Sequence, residues 1–271
     1  MTKSLSRLAL IAALGAVSPA LAQDAEGGAA PAEGAAAEAA PAPEPQVSRV
    51  DEILGKMPAM YRKRDQGTTA QDAIKLLEEA KVLEPQNYEV RWRLAQFHYW
   101  IADTSAKDAM AREGKLGWDE AEAAKKINPN GVEGYYWAAA CVGAYSTGKG
   151  IVTAVSEGLS PVFKENAERA EKIDANHDNA GPLRALGRYY FKLPWPLADK
   201  EKARSYLERA VKAGPKSARS WYYLADLERD AGNTDKAKEI LNKIVAMDPN
   251  DGDPPDIRLH QKKAREMLAE L

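Results

Sequence analysis

Three stretches of this 271-residue chain share one spacing. "AIKLLEEAKVLEP" places Ala73, Leu77, Ala80 and Pro85; "ARSYLERAVKAGP" places Ala203, Leu207, Ala210 and Pro215; "AKEILNKIVAMDP" places Ala237, Leu241, Ile244 and Pro249. Steps of four and three residues put the first three side chains of each stretch on one helical face, and the proline stops the helix. Small residues on that face let a neighbouring helix come close. Pro215 and Pro249 lie 34 residues apart, the period of a helix-turn-helix tetratricopeptide unit. Between them, Trp221, Leu224 and Ala225 stand at the W-x-x-L-[GA] positions of a first helix, and Gly232-Asn233 supplies the turn.

Leu183, Leu186, Gly187 and Tyr190 repeat the first-helix pattern one unit earlier. Two weaker copies precede them: Leu94-Ala95 leading to Ala121, Ala124 and Pro129, and Tyr135, Ala138 and Ala139 leading to Ala167, Ala170 and Ala175. The closing positions fall at 85, 129, 175, 215 and 249, so the intervals are 44, 46, 40 and 34, and three units carry insertions of 10, 12 and 6 residues. The first unit's leading helix, around Met57 to Arg64, is poorly marked. At the other end, "DGDPPDIRLHQKKAREMLAEL" predicts a turn and then a polar capping helix, as a solenoid terminus requires. No alternating Val/Ile/Thr-rich run marks a strand. The expected fold is all-α: a tetratricopeptide-like helix-pair solenoid over residues 47–271, with insertions and a C-terminal capping helix.

The first 46 residues read differently. Lys3 and Arg7 precede a ten-residue apolar run, Leu8 to Val17, and Ala20-Leu21-Ala22 offers small residues for cleavage before Gln23. Residues 1–22 therefore predict a cleaved secretory signal peptide and a periplasmic destination. The apolar run is about half the ~20 residues of a membrane span, so no transmembrane span is expected in the mature chain. Residues 23–46 hold Ala, Pro, Gly and Glu with no aromatic or β-branched side chain, the composition of a disordered acidic tether. Without the leader's two basic and the tether's five acidic residues, the body keeps 36 basic and 35 acidic residues. That balance gives no basis for nucleic-acid binding.

Motifs that carry chemistry are scarce. "GAYSTGKG", residues 143–150, matches a phosphate-binding loop at Gly143, Gly148 and Lys149, but Gly150 stands where a hydroxyl is needed and no strand precedes it. Its glycines are expected to end an aromatic first helix and open the largest insertion, with Lys149 in solvent and Tyr145 shaping access to the groove. "DPNDGDPPD", residues 248–256, lacks the register of a calcium loop and reads as a solvated turn. His98, His177 and His260 are isolated, which disfavours a zinc site, and His98 among Phe97, Tyr99 and Trp100 is expected in a groove or core. Cys141, the only cysteine, follows three alanines and is expected to be a buried apolar residue. No catalytic set can be assembled, so the chain is expected to be non-enzymatic, with no cofactor and no metal.

The aromatic residues say more. Thirteen of the twenty cluster in first helices: Trp92, Phe97, Tyr99 and Trp100, then Tyr135-Tyr136-Trp137, Tyr189-Tyr190-Phe191 and Trp221-Tyr222-Tyr223. Neighbours on a helix differ by about 100°, so three in a row cannot all face one core. First helices line the concave side of a helix-pair solenoid, where such proteins bind. The aromatics either fill gaps beside the alanine-rich second helices or form a groove, whose candidates are Trp92, Tyr99, Tyr136, Tyr145, Phe191 and Tyr222. Arg184 and Arg188, four residues apart on one face, either hold a ligand carboxylate between them or form a solvated or Asp226-paired surface.

"VEGYYWAAACVGAYSTGKG", "NAGPLRALGRYYFKLP" with "DKEKARSYLERAVKAGP", and the terminal "KAREMLAEL" resemble the T-component family of tripartite ATP-independent periplasmic (TRAP) transporters, from about Ala70 to Leu271. The resemblance implies a periplasmic tetratricopeptide protein that associates with a transporter's substrate-binding protein. It also implies a small hydrophobic or carboxylated ligand, with the helical aromatics and Arg184 as family-consistent positions. Unlike lipidated members, this sequence has no cysteine at the cleavage site to anchor it. Two functions follow as expectations: a ligand-holding binding protein of a transporter, or a cell-envelope assembly adaptor whose groove takes a peptide or partner helix.

Overall fold

The computed structural model describes residues 47–271; the predicted signal peptide (1–22) and tether (23–46) lie outside the described residues. The described residues form α-helices with no strand. They pair in chain order: α1 (Arg49–Tyr61) with α2 (Thr69–Leu83), α3 (Tyr88–Asp103) with α4 (Lys107–Ile127), α5 (Val132–Lys149) with α7 (Leu159–Asp174), α8 (His177–Lys192) with α9 (Lys200–Ala213), and α10 (Ala218–Asp230) with α11 (Thr234–Val245). A short α6 (Ile151–Ser156) interrupts the third pair, and α12 (Pro254–Ala269) follows the last.

The repeated spacing does what helical geometry requires. Ala73, Leu77 and Ala80 of α2, Ala203, Leu207 and Ala210 of α9, and Ala237, Leu241 and Ile244 of α11 are all fully buried. Each leucine so placed stabilises the stack by roughly 1.5–3 kcal/mol relative to exposure. A Cβ on Gly187 would sit 2.6 Å from Leu207, so glycine lets α9 close on α8. Side chains cap several N-termini: Ser48, Asn87, Asp199 and Ser217 each accept a backbone N–H of the following first turn.

The insertions lengthen helices more than loops. The extra residues of the second unit make α4 21 residues long, against 14 for α9. Those of the third extend α5 to Lys149 and add α6. This corrects the expected exit at Gly143: only Gly150, at φ +96°, breaks the helix. Gly143 and Gly148 lie inside α5, where a Cβ on Gly148 would meet the Ala111 backbone at 2.6 Å and one on Gly143 would meet Phe163 at 3.0 Å. Lys149 is exposed, as expected, and its ammonium pairs at the surface with Glu157 at 2.6 Å. The first helix begins earlier than expected, at Arg49, because Pro58 interrupts its hydrogen bonding and obscures its pattern.

The terminal helix makes contacts that the repeat pattern does not predict. It caps the last pair with an exposed polar face (Lys262, Arg265, Glu266), as expected, but its other side also reaches the first repeat. Ile257, Ala264 and Met267 pack with the core of α10 and α11, while Leu259 packs on the core of α1 to α3. Arg64, after α1, grips Asp253 with both Nη atoms (2.7 and 2.6 Å), and Arg258 grips Asp65 (2.7 and 3.0 Å). The superhelix therefore curves until its last helix docks on its first repeat, and "DPNDGDPPD" forms part of that seam.

Candidate functional site

Closure puts the first helices around two adjoining spaces, a chamber of about 30 Å³ and a cavity of about 440 Å³. Tyr99, Tyr136, Arg184 and Arg219 border both. The chamber is a charged knot. Arg219 donates to Asp256 from Nε (2.9 Å) and Nη2 (2.6 Å), to the Tyr99 hydroxyl (2.5 Å), and pairs with Asp103 at 3.0 Å. Burial would raise the Asp256 carboxyl, but Arg219 foremost holds it well below the usual range. Arg64 lies between the Tyr61 and Trp100 rings, 3.8 and 4.3 Å from their centroids, and grips Asp253 on the same side.

Arg184 is only 6 % exposed. Its Nη2 donates to the Tyr136 hydroxyl (2.6 Å) and to Asp178 Oδ2 (2.9 Å), and the same hydroxyl donates to Asp178 (2.6 Å). Its Nη1 reaches the carbonyls of Asp178 (3.4 Å) and Asn179 (3.3 Å) and the Ser217 hydroxyl (3.2 Å). Those carbonyls face it because Asp178, Asn179 and Ala180 are all left-handed, at φ 49°, 53° and 62°. Such a run of L-residues costs roughly 1–2 kcal/mol each, and the guanidinium's bonds offset it. Regular helix resumes at Gly181, with Pro182 in the first turn, where no N–H is needed.

The cavity has two characters. Ala140 and Ala144 of α5, Ile151 and Val155 of α6, and Leu159 and Phe163 of α7 make an apolar wall. The rest of the lining includes Tyr222 and Tyr223 with Arg188, Lys192 and Lys263, and Tyr189 joins the two parts by stacking on Phe163 with ring centroids 5.2 Å apart. Asp226, 7 % exposed, lies behind this side, binding Arg188 at 2.6 Å, Lys192 at 2.9 Å and Arg229 at 3.0 Å. Burial would raise the Asp226 carboxyl, yet Arg188 and Lys192 hold it low. Lys192 is itself lowered, by burial first and by Arg188 second. A volume of this size lies in the ~300–1,000 Å³ range of small-molecule sites.

Of the candidates named from sequence, Tyr99, Tyr136, Arg184, Arg188 and Tyr222 border the cavity. Three do not. Trp92 lies beneath Arg93, Tyr145 packs on Trp118, and Phe191 is buried in the core of α9 to α11. Helical steps of ~100° explain this: on α8, Ala185, Arg188, Tyr189 and Lys192 face the cavity and Phe191 faces away. Nor do Arg184 and Arg188 form one clamp, because Asp178 takes the first and Asp226 the second. His98 is buried and bound to Glu113 at 2.8 Å. Arg64, Arg219, Asp253, Asp256 and Lys263 were not singled out. Arg219, Asp256 and Lys263 show in sequence only as charges within helices, and Arg64 and Asp253 lie in the segments that flank α1 and α12.

The family model described as "Regulator of microtubule dynamics protein 1-3" matches residues 56–195, and a tetratricopeptide-repeat model matches residues 197–252. No curated protein matches the chain. Among solved structures, a thermophilic tetratricopeptide protein of Thermus thermophilus is 18 % identical, with a TM-score of 0.60 over 79 % of this chain and 98 % of that one. The MamA protein is 14 % identical, with a TM-score of 0.43 over 71 % of this chain and 90 % of its own. YrrB, described as a tetratricopeptide protein with an unusual peptide-binding site, is 15 % identical, with a TM-score of 0.40 over 78 % and 90 %.

Proposed function

The chain belongs to the family described as regulator of microtubule dynamics protein 1-3, and on that premise we propose that it is a non-enzymatic tetratricopeptide binding protein whose central cavity holds one small amphipathic anion. The cavity itself carries this reading: its lining joins apolar side chains from α5, α6 and α7 with tyrosines and cations from α8, α10 and α12. Apolar surface takes a hydrocarbon or ring, and the cations orient a charged end. Tetratricopeptide stacks also serve as scaffolds for protein partners. The segments bordering the cavity carry exposed apolar side chains suited to a partner: Val152 on α6, and Trp195, 90 % exposed, with Leu197 after α8.

The finer reading keeps what the sequence suggested. Residues 1–22 export the chain to the periplasm, and its partner is a transporter's substrate-binding protein. No described helix is long and apolar enough to cross a membrane.

Fluorescence titration with anilinonaphthalene sulfonate, paired with native mass spectrometry, tests the cavity. One equivalent per chain is expected, and Ala144→Trp, which fills the apolar wall, should abolish it. Binding without defined stoichiometry, or undiminished in A144W, would sink the ligand reading. A pull-down from the cell envelope tests the partner, and recovery of no substrate-binding protein would remove the transporter association.

A further inference from the structure

Five cationic side chains border the cavity: Arg184, Arg188, Lys192, Arg219 and Lys263. Four are already held by carboxylates. Arg184 pairs with Asp178, Arg219 with Asp103 and Asp256, and Arg188 and Lys192 share Asp226, which also receives Arg229. The fifth, half-buried Lys263, has no carboxylate within ion-pair distance among the described residues. It borders the cavity near Asp103, whose carboxyl stays low despite burial because of Arg219 first and Lys263 second. A buried or half-buried anion needs a cation to pair with, and Lys263 is the lining cation not already committed.

Lys263 also differs in origin. The other lining cations belong to the repeats, whereas Lys263 is delivered by α12, one helical turn beyond Leu259, which packs on the first repeat. The seam holding α12 there consists of Arg64–Asp253 and Arg258–Asp65, with Arg219–Asp256 on its inner side.

We propose that Lys263 is the counter-ion of the cavity's ligand, so that anion binding and the docking of α12 across the superhelix stabilise each other. The proposal rests on the cavity being a ligand site, as inferred above. With α12 undocked, the cavity loses Lys263 and with it the uncommitted charge. A ligand that binds only the closed form strengthens closure by the factor that closure strengthens binding. The superhelix thereby senses occupancy, and the seam at Arg258 and Asp65 registers it on the outer surface.

Decanoate and decanol, the same chain with and without a carboxylate, separate the alternatives. Each is titrated by calorimetry into the full chain, and hydrogen exchange is followed over residues 254–269. Decanoate is expected to bind at least about ten-fold more tightly than decanol, the scale of a hydrogen bond to a charged group, and decanoate alone should slow exchange in α12. Lys263→Met should erase both the preference and the slowing while decanol binding holds, and Lys263→Arg should restore them. Arg258→Glu, outside the cavity, should speed exchange in α12 and weaken decanoate several-fold. Undiminished decanoate binding in K263M, or exchange in α12 indifferent to decanoate, overturns the proposal. Equal binding of the two probes overturns it while leaving the cavity a ligand site; binding of neither removes the ligand reading itself.

Discussion

Replacing Arg184 by methionine tests whether this residue is structural rather than a ligand clamp. The guanidinium bonds Asp178, the Tyr136 hydroxyl, Ser217 and two left-handed carbonyls. Methionine fills much of the volume and makes none of these bonds. Asp178 would keep only the Tyr136 hydroxyl, and the left-handed turn at 178–180 would lose its main donor. Removing one partner of a buried ion pair costs about 3–5 kcal/mol. At ~2–4 °C per kcal/mol for a body of this size, the melting temperature should fall by roughly 6–20 °C. Urea unfolding of R184M, D178N and the double variant gives the magnitude and the coupling, expected to be within the ~0.5–3 kcal/mol seen for residues in one network. A loss below about 1 kcal/mol in R184M, or strict additivity in the cycle, would show that the network does not hold the fold.

Three further outcomes follow from the same packing. Gly181→Ala places a Cβ 2.6 Å from the buried Tyr136 ring and should destabilise by about 1–3 kcal/mol in thermal melts; an unchanged melt would show that the ring moves freely. Burial alone would raise the Glu228 carboxyl, but Arg204, Lys236 and Asn233 hold it at about 2 against an ordinary 4.5. Because the folded value is depressed, this stability is complete above pH ~4.5 and is lost as pH falls towards ~2, on the order of 3 kcal/mol in all. Glu228→Gln should flatten the acid limb of the stability curve, and an unaltered limb would place that sensitivity elsewhere. Cys141 is fully buried, and burial pushes its thiol up, so a thiol reagent should label it only as the chain unfolds; prompt labelling of the native protein would contradict its packing.

Much of the architecture was legible locally. The alanine–leucine spacing of α2, α9 and α11 marks a buried helical face wherever it occurs, because helical periodicity needs no distant residue. The prolines at 85, 129, 215 and 249 mark helix ends for the same reason. The site was legible only in part. That Arg184 and Arg188 share a face follows from their spacing, and Asp226, the partner named from sequence, meets Arg188, but the partner of Arg184 is not legible. Asp178 reaches Arg184 through a left-handed turn that Asp-Asn-Ala does not announce, and Asp226 reaches Arg188 from the next repeat. The aromatic triplets foretold that some rings leave the core. Only the turn of each helix about its axis decided that Tyr189 and Tyr222 face the cavity while Phe191 and Tyr145 do not.

The sequence by itself determined the helix-pair repeat and the lone buried cysteine, since both depend on contacts within a residue's own or adjoining helices. Tertiary structure alone decided that the superhelix closes. Small rotations accumulate from one helix pair to the next, and no local pattern records their sum. That sum carries α12 back to Arg64 and Asp65, turns a concave groove into a cavity, and brings Lys263 to its edge.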